Sequence, residues 1–238
     1  MEAIILAGGK GTRLSNVVKG IPKPMADVNG TPFLGHVLGR LSASGVDRAI
    51  LSVGYMFEAI QGYFGAKYKG LALDYVIENR PLGTGGAVKE ALKSAREDDV
   101  FILNGDTYFE VSLAGLLCAH KEKDADVTIS IKPMHDFDRY GTVTLDETGR
   151  VAGFKEKQFE RHGLVNAGVY VLKTHMARVL DWYCPEECFS FEKDFLEVNV
   201  KALNVAPYLG EGYFIDIGIP EDYQRAKREF KTLREGRV

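Results

Sequence analysis

Through its first 125 residues the chain alternates short apolar runs with amphipathic stretches, and no other feature restricts its fold as tightly. The runs Ala3–Ala7, Ala49–Val53, Leu71–Ile77 and Val100–Leu103 have the length and branching of buried strands. Between them, Pro32–Ser44 puts Phe33, Leu34, Val37, Leu38 and Leu41 on one helical face, with Gly45 as its cap. Met56–Phe64 reads as a second helix, and Gly86–Ala95 as a third with Ala87, Val88, Ala91 and Leu92 inward. Repetition of this kind predicts an α/β fold, a mostly parallel sheet with helices on both faces. Ligands of such sheets lie beyond the carboxyl ends of the strands. The turn at Gly8 and the aspartate at 106 both fall there.

After a helix at Leu113–Lys121 and a strand at Val127–Ile131 the texture changes. Gly141–Leu145 and Val151–Lys157 read as a hairpin around Glu147–Gly149, and Val165–Leu172 as a further strand. Helices are expected at His175–Leu180 and Phe191–Val200, strands at Leu203–Tyr208 and Tyr213–Asp216, and a basic amphipathic helix from Pro220 to about Leu233. Without repeat or linker, the chain reads as one domain, 1–238, whose second half forms a lid on the same sheet. A formal charge of −3 offers no surface for nucleic acid. No apolar run approaches the roughly 20 residues of a membrane span. The N-terminal run lacks the basic flank and cleavage site of a signal peptide. The expectation is a cytoplasmic protein. Three cysteines, an odd number, argue against a disulfide framework, and Cys184 and Cys188 have no second pair to complete a zinc site. The five histidines are scattered without a metal-binding spacing.

The first apolar run breaks at Gly8-Gly9, and Gly11 follows after one residue. Such glycines let a backbone turn sharply and bring its N–H groups to an anion. Arg13 follows the loop and Lys23 stands between two prolines. A guanidinium offers phosphate a bidentate fork, and a lysine a movable point charge. A polyphosphate site is the natural reading. It is neither of the two familiar phosphate loops. No Lys-Ser or Lys-Thr pair follows the last glycine, and Leu14 stands where a dinucleotide fingerprint would continue.

The run LAGGKGTRL followed by PKPM resembles the signature of the sugar-1-phosphate nucleotidyltransferases, the nucleoside-diphosphate-sugar pyrophosphorylases. The resemblance covers Met1 to about Leu233 and implies a Rossmann-like nucleotide-diphospho-sugar transferase fold. In it, residues 1–125 mainly bind the nucleotide, and 126–238 supply a smaller, β-rich sugar-binding lid and the closing helix. By the same resemblance Arg13 and Lys23 are the catalytic cations, and Leu6, Ala7, Gly8, Gly9, Gly11 and Thr12 wrap the nucleoside triphosphate. Pro81, Gly83 and Thr84, in the run PLGTGG, lie against the base, which Glu78 reads.

A carboxylate only accepts hydrogen bonds. Guanine offers two adjacent donors, whereas uracil and thymine flank their ring N–H with carbonyls and suit a glutamine better. Glu78 therefore points to GTP. Asp106 and Asp216 resemble the family's Mg²⁺-binding aspartates. Glu156 and Lys157, with Asn166, Gly168, Asn104 and Gly141, resemble its sugar-phosphate contacts. Tyr140 and the loop Gln158–Gly163 are weaker candidates.

Between Arg13 and the PKP run the segment SNVVKGI departs from many relatives. It resembles the branch that joins GTP to a heptose 1-phosphate for bacterial surface polysaccharides. Hexose 1-phosphate guanylyl-, uridylyl- and thymidylyltransferases share the chemistry, and a non-catalytic nucleotide-sugar-binding paralogue is the reading from another class. No hexapeptide repeat of the family's optional β-helix follows Asp222. Members are often dimers or tetramers, so a homo-oligomer is a further expectation.

Overall fold

The computed structural model describes residues 1–9, 11, 14, 18, 20–155 and 158–235, with side chains to 232. In chain order the first half comprises β1 (Glu2–Leu6), β2 (Asp27–Val28), β3 (Thr31–Pro32), α1 (Phe33–Ala43), β4 (Arg48–Val53), α2 (Phe57–Phe64), β5 (Lys67–Tyr68), β6 (Leu71–Ile77), α3 (Gly83–Leu92), β7 (Asp99–Asn104), β8 (Thr107–Phe109) and α4 (Leu113–Glu122). The second half adds β9 (Val127–Phe137), β10 (Thr142–Leu145), β11 (Val151–Lys155), β12 (Glu160–Lys173), α5 (Met176–Tyr183), a π-helix (Phe191–Glu197), β13 (Val205–Leu209), β14 (Phe214–Asp216) and α6 (Pro220–Glu235).

Ten of the described strands form one sheet, ordered β11-β10-β12-β7-β1-β4-β6-β5, with β9 pairing β12 and β13. The expected parallel alternation holds in the first half, where β1 lies parallel to β4 and β7, and β4 to β6. The second half joins by antiparallel pairs, β12 to β7 and β9 and β10 to β11, so the whole sheet is mixed.

Successive side chains of a strand face opposite sides of a sheet, and β1 separates two cores in this way. Ala3 and Ile5 pack with Leu34, Leu38 and Leu41 of α1 on one face. Ile4 packs with Val88 and Ala91 of α3, and with Phe191 and Phe195, on the other. Burying a large apolar side chain contributes about 1.5–3 kcal/mol. The fully enclosed Ile4, Ile5, Leu34 and Leu38 are therefore among the residues that hold the layers together.

Three local features bring the loops together. Leu6 stands opposite Asn104 in the β1–β7 register, and the Gly105 N–H donates to the Leu6 carbonyl at 2.9 Å. The turn after β7 thus lies beside the glycine loop, a hundred residues earlier in the chain. The antiparallel pair β8–β14 sets Asp216 opposite Thr107, next to Asp106. In β12 the register to β9 slips between Asn166 and Tyr170, a bulge with Gly168 at φ +69°. Bulges re-aim side chains and are common beside active sites.

Candidate active site

These loops enclose a cleft of about 1030 Å³. Leu6, Ala7, Gly8, Gly9 and Gly11 line it from the first loop, and Glu78, Pro81, Gly83 and Thr84 from the second. Lys23, Asp106 and Asp216 lie across it, with Asn104, Gly141, Asn166 and Gly168 on the side of β12. The described members of the sequence-predicted set thus line one cleft from seven separate stretches of chain. Thr12, Arg13, Glu156 and Lys157 lie outside the described residues.

Lys23 opens a 3₁₀ turn, Lys23–Met25, between Pro22 and Pro24. The fixed φ of proline holds that turn. Gly11, at φ +60°, presses on the Lys23 side chain so closely that a Cβ there would collide with it. The Lys23 ammonium, largely withdrawn from solvent, donates to Asp106 Oδ2 and stands 3.7 Å from Asp216 Oδ1. Asp106 is tied down by its carbonyl, which accepts from Ile217 N at 3.0 Å. Asp216 Oδ1 accepts from Gly218 N at 2.6 Å. Asp106 thus stands in a turn between two strands, facing the cleft.

Two half-exposed carboxylates meeting on one cation form an all-oxygen donor pair. Magnesium takes one or two carboxylates and keeps its other positions for phosphate and water. On donor chemistry, Asp106 and Asp216 fit a hard divalent cation. Among the described residues no cluster of three or more His, Cys, Asp or Glu is placed to hold a metal.

Glu78 follows β6, its N–H donating to Val53 O at 2.7 Å. Its Oε1 accepts from Ser52 Oγ at 2.9 Å, and Ser52 is wholly buried in β4. Gly8 gives the carboxylate its room, since a Cβ on residue 8 would overlap Oε1. Sequence reasoning missed Ser52, although a hydroxyl within the apolar run AILSV was a visible signal.

On the opposite wall, Gly168 approaches Asn104 Nδ2 so closely that no side chain fits between them. Asn166 N donates to Gly141 O at 3.2 Å. Tyr140 lines the cleft with its hydroxyl pushed up to about 12, first by burial and then by the carboxylates of Asp222 and Asp216. It therefore remains a neutral hydrogen-bond donor at pH 7. Lys155, Glu192 and Lys193 also line the cleft and were not anticipated. Among the described lining residues there is no histidine. His135 and His162 instead face each other across β9 and β12, and His120 is buried behind the sheet.

A glycine loop, a clamped lysine and paired aspartates at strand ends form an arrangement suited to phosphates. The nucleotidyl transferase family model matches residues 2–232. The chain belongs to that family. It is 45% identical, over 97% of its length and 99% of the relative's, to D-glycero-alpha-D-manno-heptose 1-phosphate guanylyltransferase of Aneurinibacillus thermoaerophilus. The protein of the same name from Campylobacter jejuni is 44% identical, over 94% of this chain and 97% of that one. The crystal structure of HddC from Yersinia pseudotuberculosis complexed with GMP-PN superposes with a TM-score of 0.83 at 38% identity, covering 96% of this chain and 99% of that one. The fold is that of the nucleotide-diphospho-sugar transferases.

Proposed function

We propose that the chain condenses GTP with a sugar 1-phosphate, D-glycero-α-D-manno-heptose 1-phosphate before others, to give GDP-heptose and pyrophosphate. The observation that carries this is the end-to-end similarity to two heptose 1-phosphate guanylyltransferases. The mannose-1-phosphate guanylyltransferase of Mycobacterium tuberculosis is more distant, at 34%, and this chain spans 64% of it. Mannose 1-phosphate is accordingly the second substrate to try. Glu78 supports guanine independently, as an acceptor held by Ser52 at the cleft wall.

In the reaction an oxygen of the sugar phosphate attacks the α-phosphorus, one P–O bond forms, and the bond to the β-phosphate oxygen breaks. A phosphate monoester has its second pKa near 6, so the nucleophile is already largely a dianion and needs no general base. The barrier is repulsion between anions and the charge gathering on pyrophosphate. Preorganised cations lower such a barrier because they need not reorient as it is crossed. Lys23 is the cation for the α-phosphate, and its prolines and carboxylate partners keep it aimed there. By motif, Arg13 meets the departing pyrophosphate and Lys157, with Glu156, the incoming sugar phosphate. Asn166, Gly168, Asn104 and Gly141 bind the sugar side, and the loops at Gly8 and Gly83 the nucleotide.

Asp106 and Asp216 would hold Mg²⁺, which when bound neutralises phosphate oxygens as a Lewis acid. GTP supply assigns the enzyme to the cytoplasm, and a GDP-heptose to the building of surface polysaccharide.

The test is pyrophosphate release with each of four nucleoside triphosphates against a panel of sugar 1-phosphates. GTP with the heptose 1-phosphate is expected to lead. Release with UTP or dTTP but not GTP would overturn the base assignment, and none with any pair would overturn catalysis.

A further inference from the structure

Across the cleft a chain of hydrogen bonds joins the two walls through a residue that neither motif contains. The segment before the π-helix lies directly on the nucleotide loop. Phe189 N donates to Leu82 O at 3.1 Å, and Gly85 N donates back to Phe189 O at 2.9 Å. Gly83, Gly85 and Gly86 have no space for a Cβ, because the backbone of Glu187 and Phe189 and the Phe189 ring occupy it. Phe191 N donates to Thr84 Oγ1 at 2.9 Å. Thr84 Oγ1 in turn donates to Glu192 Oε2 at 2.8 Å.

The other carboxylate oxygen of Glu192 faces the sugar side. Tyr170, fully enclosed, donates to Glu192 Oε1 at 3.1 Å and accepts from Asn166 Nδ2 at 2.9 Å. Asn166 Oδ1 accepts from Gly168 N at 3.1 Å. Burial, and then the Glu192 carboxylate, push the Tyr170 hydroxyl well above its ordinary pKa, so it remains a donor. A hydroxyl has a single proton and a carboxylate has none. The proton directions along Thr84, Glu192 and Tyr170 are therefore fixed by Glu192 being an acceptor on both sides. Tyr170 anchors the half-buried Thr84, Glu192 and Asn166, and a satisfied polar network of this kind rigidifies the groups it joins.

We infer that Glu192 is a positioning residue that couples the nucleotide loop to the sugar strand, so that each substrate binds more tightly when the other is present. The inference rests on the two walls serving the substrates assigned above. A GTP that settles on Gly83 and Thr84 holds Glu192, which holds Tyr170 and with it Asn166. Coupling is reciprocal and for allosteric pairs commonly amounts to about 5–150-fold in affinity.

The experiment is calorimetric titration of a GTP analogue whose α,β-bridging oxygen is replaced by methylene, so that no transfer occurs, with and without saturating heptose 1-phosphate. In the wild type the sugar phosphate is expected to raise analogue affinity about tenfold. In Glu192→Gln and in Tyr170→Phe that factor falls toward one, while the analogue alone binds within about threefold of wild type. The double variant is no worse than either single one, as expected for members of one network. Thr84→Ser retains the coupling and Thr84→Val loses it.

Wild-type coupling persisting in both Glu192→Gln and Tyr170→Phe would overturn the inference. So would its absence from the wild type, or variants that bind neither substrate. Should the wild type take a uridine analogue in place of the guanosine one, the base assignment fails, and the coupling is read on that analogue instead. A wild type that binds no nucleotide overturns both readings.

Discussion

Lys23 is held more firmly than a surface lysine could be. A lysine normally gives up considerable side-chain entropy when immobilised. Here the proline-bounded turn, the pressure of Gly11 and two carboxylates limit its freedom before substrate arrives. Removing one preorganised electrostatic group typically costs about 3–4 kcal/mol in the transition state. Lys23→Ala is therefore expected to lower kcat about 10²–10³-fold at saturating substrates, measured as pyrophosphate release. Near-wild-type turnover would mean that the lysine only balances the aspartates. At Glu78 the expected loss is one of discrimination. Glu78→Gln presents an amide donor to guanine and should reduce the GTP-over-UTP ratio of kcat/KM by about tenfold or more. Ser52→Ala should reduce it in the same direction by less, because it removes one bond that aims the carboxylate. An unchanged ratio in both variants would remove Glu78 from base recognition.

At the scale of elements, the glycines opening α3 serve packing as well as ligand approach. Gly86→Ala drives a methyl into the Glu187 carbonyl, an overpacking that costs about 1–3 kcal/mol. The expected result is a melting temperature lower by several degrees, read by circular dichroism; an unchanged Tm would show that the 187–189 segment yields freely.

His120, on α4, carries a different prediction. Its ring is buried, with Nδ1 2.8 Å from Thr128 Oγ1 and Nε2 3.4 Å from Asp99 Oδ1. Burial lowers its pKa below the ordinary value, against the opposing pull of Asp99. As pH falls below about 6.5 the unfolded chain therefore takes up a proton that the folded one resists. Stability present above that pH is lost on acidification, down through the lowered folded pKa. Denaturant midpoints should fall between pH 7.5 and pH 5.5, and less steeply in His120→Gln. Equal slopes would assign the dependence to other groups.

For the molecule as a whole, what could be read from the sequence follows from where its signals are local. The apolar runs of β1, β4 and β7 are buried almost throughout and that of β6 on one face, so hydrophobicity alone marked them within a residue or so. The continuations of β9 through Lys132–Phe137 and of β12 back to Glu160 were not visible. There the strands leave the core and carry Lys, His, Asp, Glu and Arg, so their pattern no longer registers burial. The strands β2, β3, β5 and β8, of two or three residues, are too short to show a period. In the site, Lys23, Glu78, Asp106 and Asp216 stood out because a motif surrounds each. Glu192 did not, since its importance lies in partners 22 and 108 residues away.

Nucleotidyl transfer between GTP and a heptose 1-phosphate is measured most directly by a phosphorus NMR time course. With Mg²⁺ present, GTP and D-glycero-α-D-manno-heptose 1-phosphate should disappear together, while the coupled diphosphate doublets of a GDP-sugar and pyrophosphate rise in equal amounts. GTP left intact, or converted to GDP and inorganic phosphate with the heptose phosphate untouched, would contradict it.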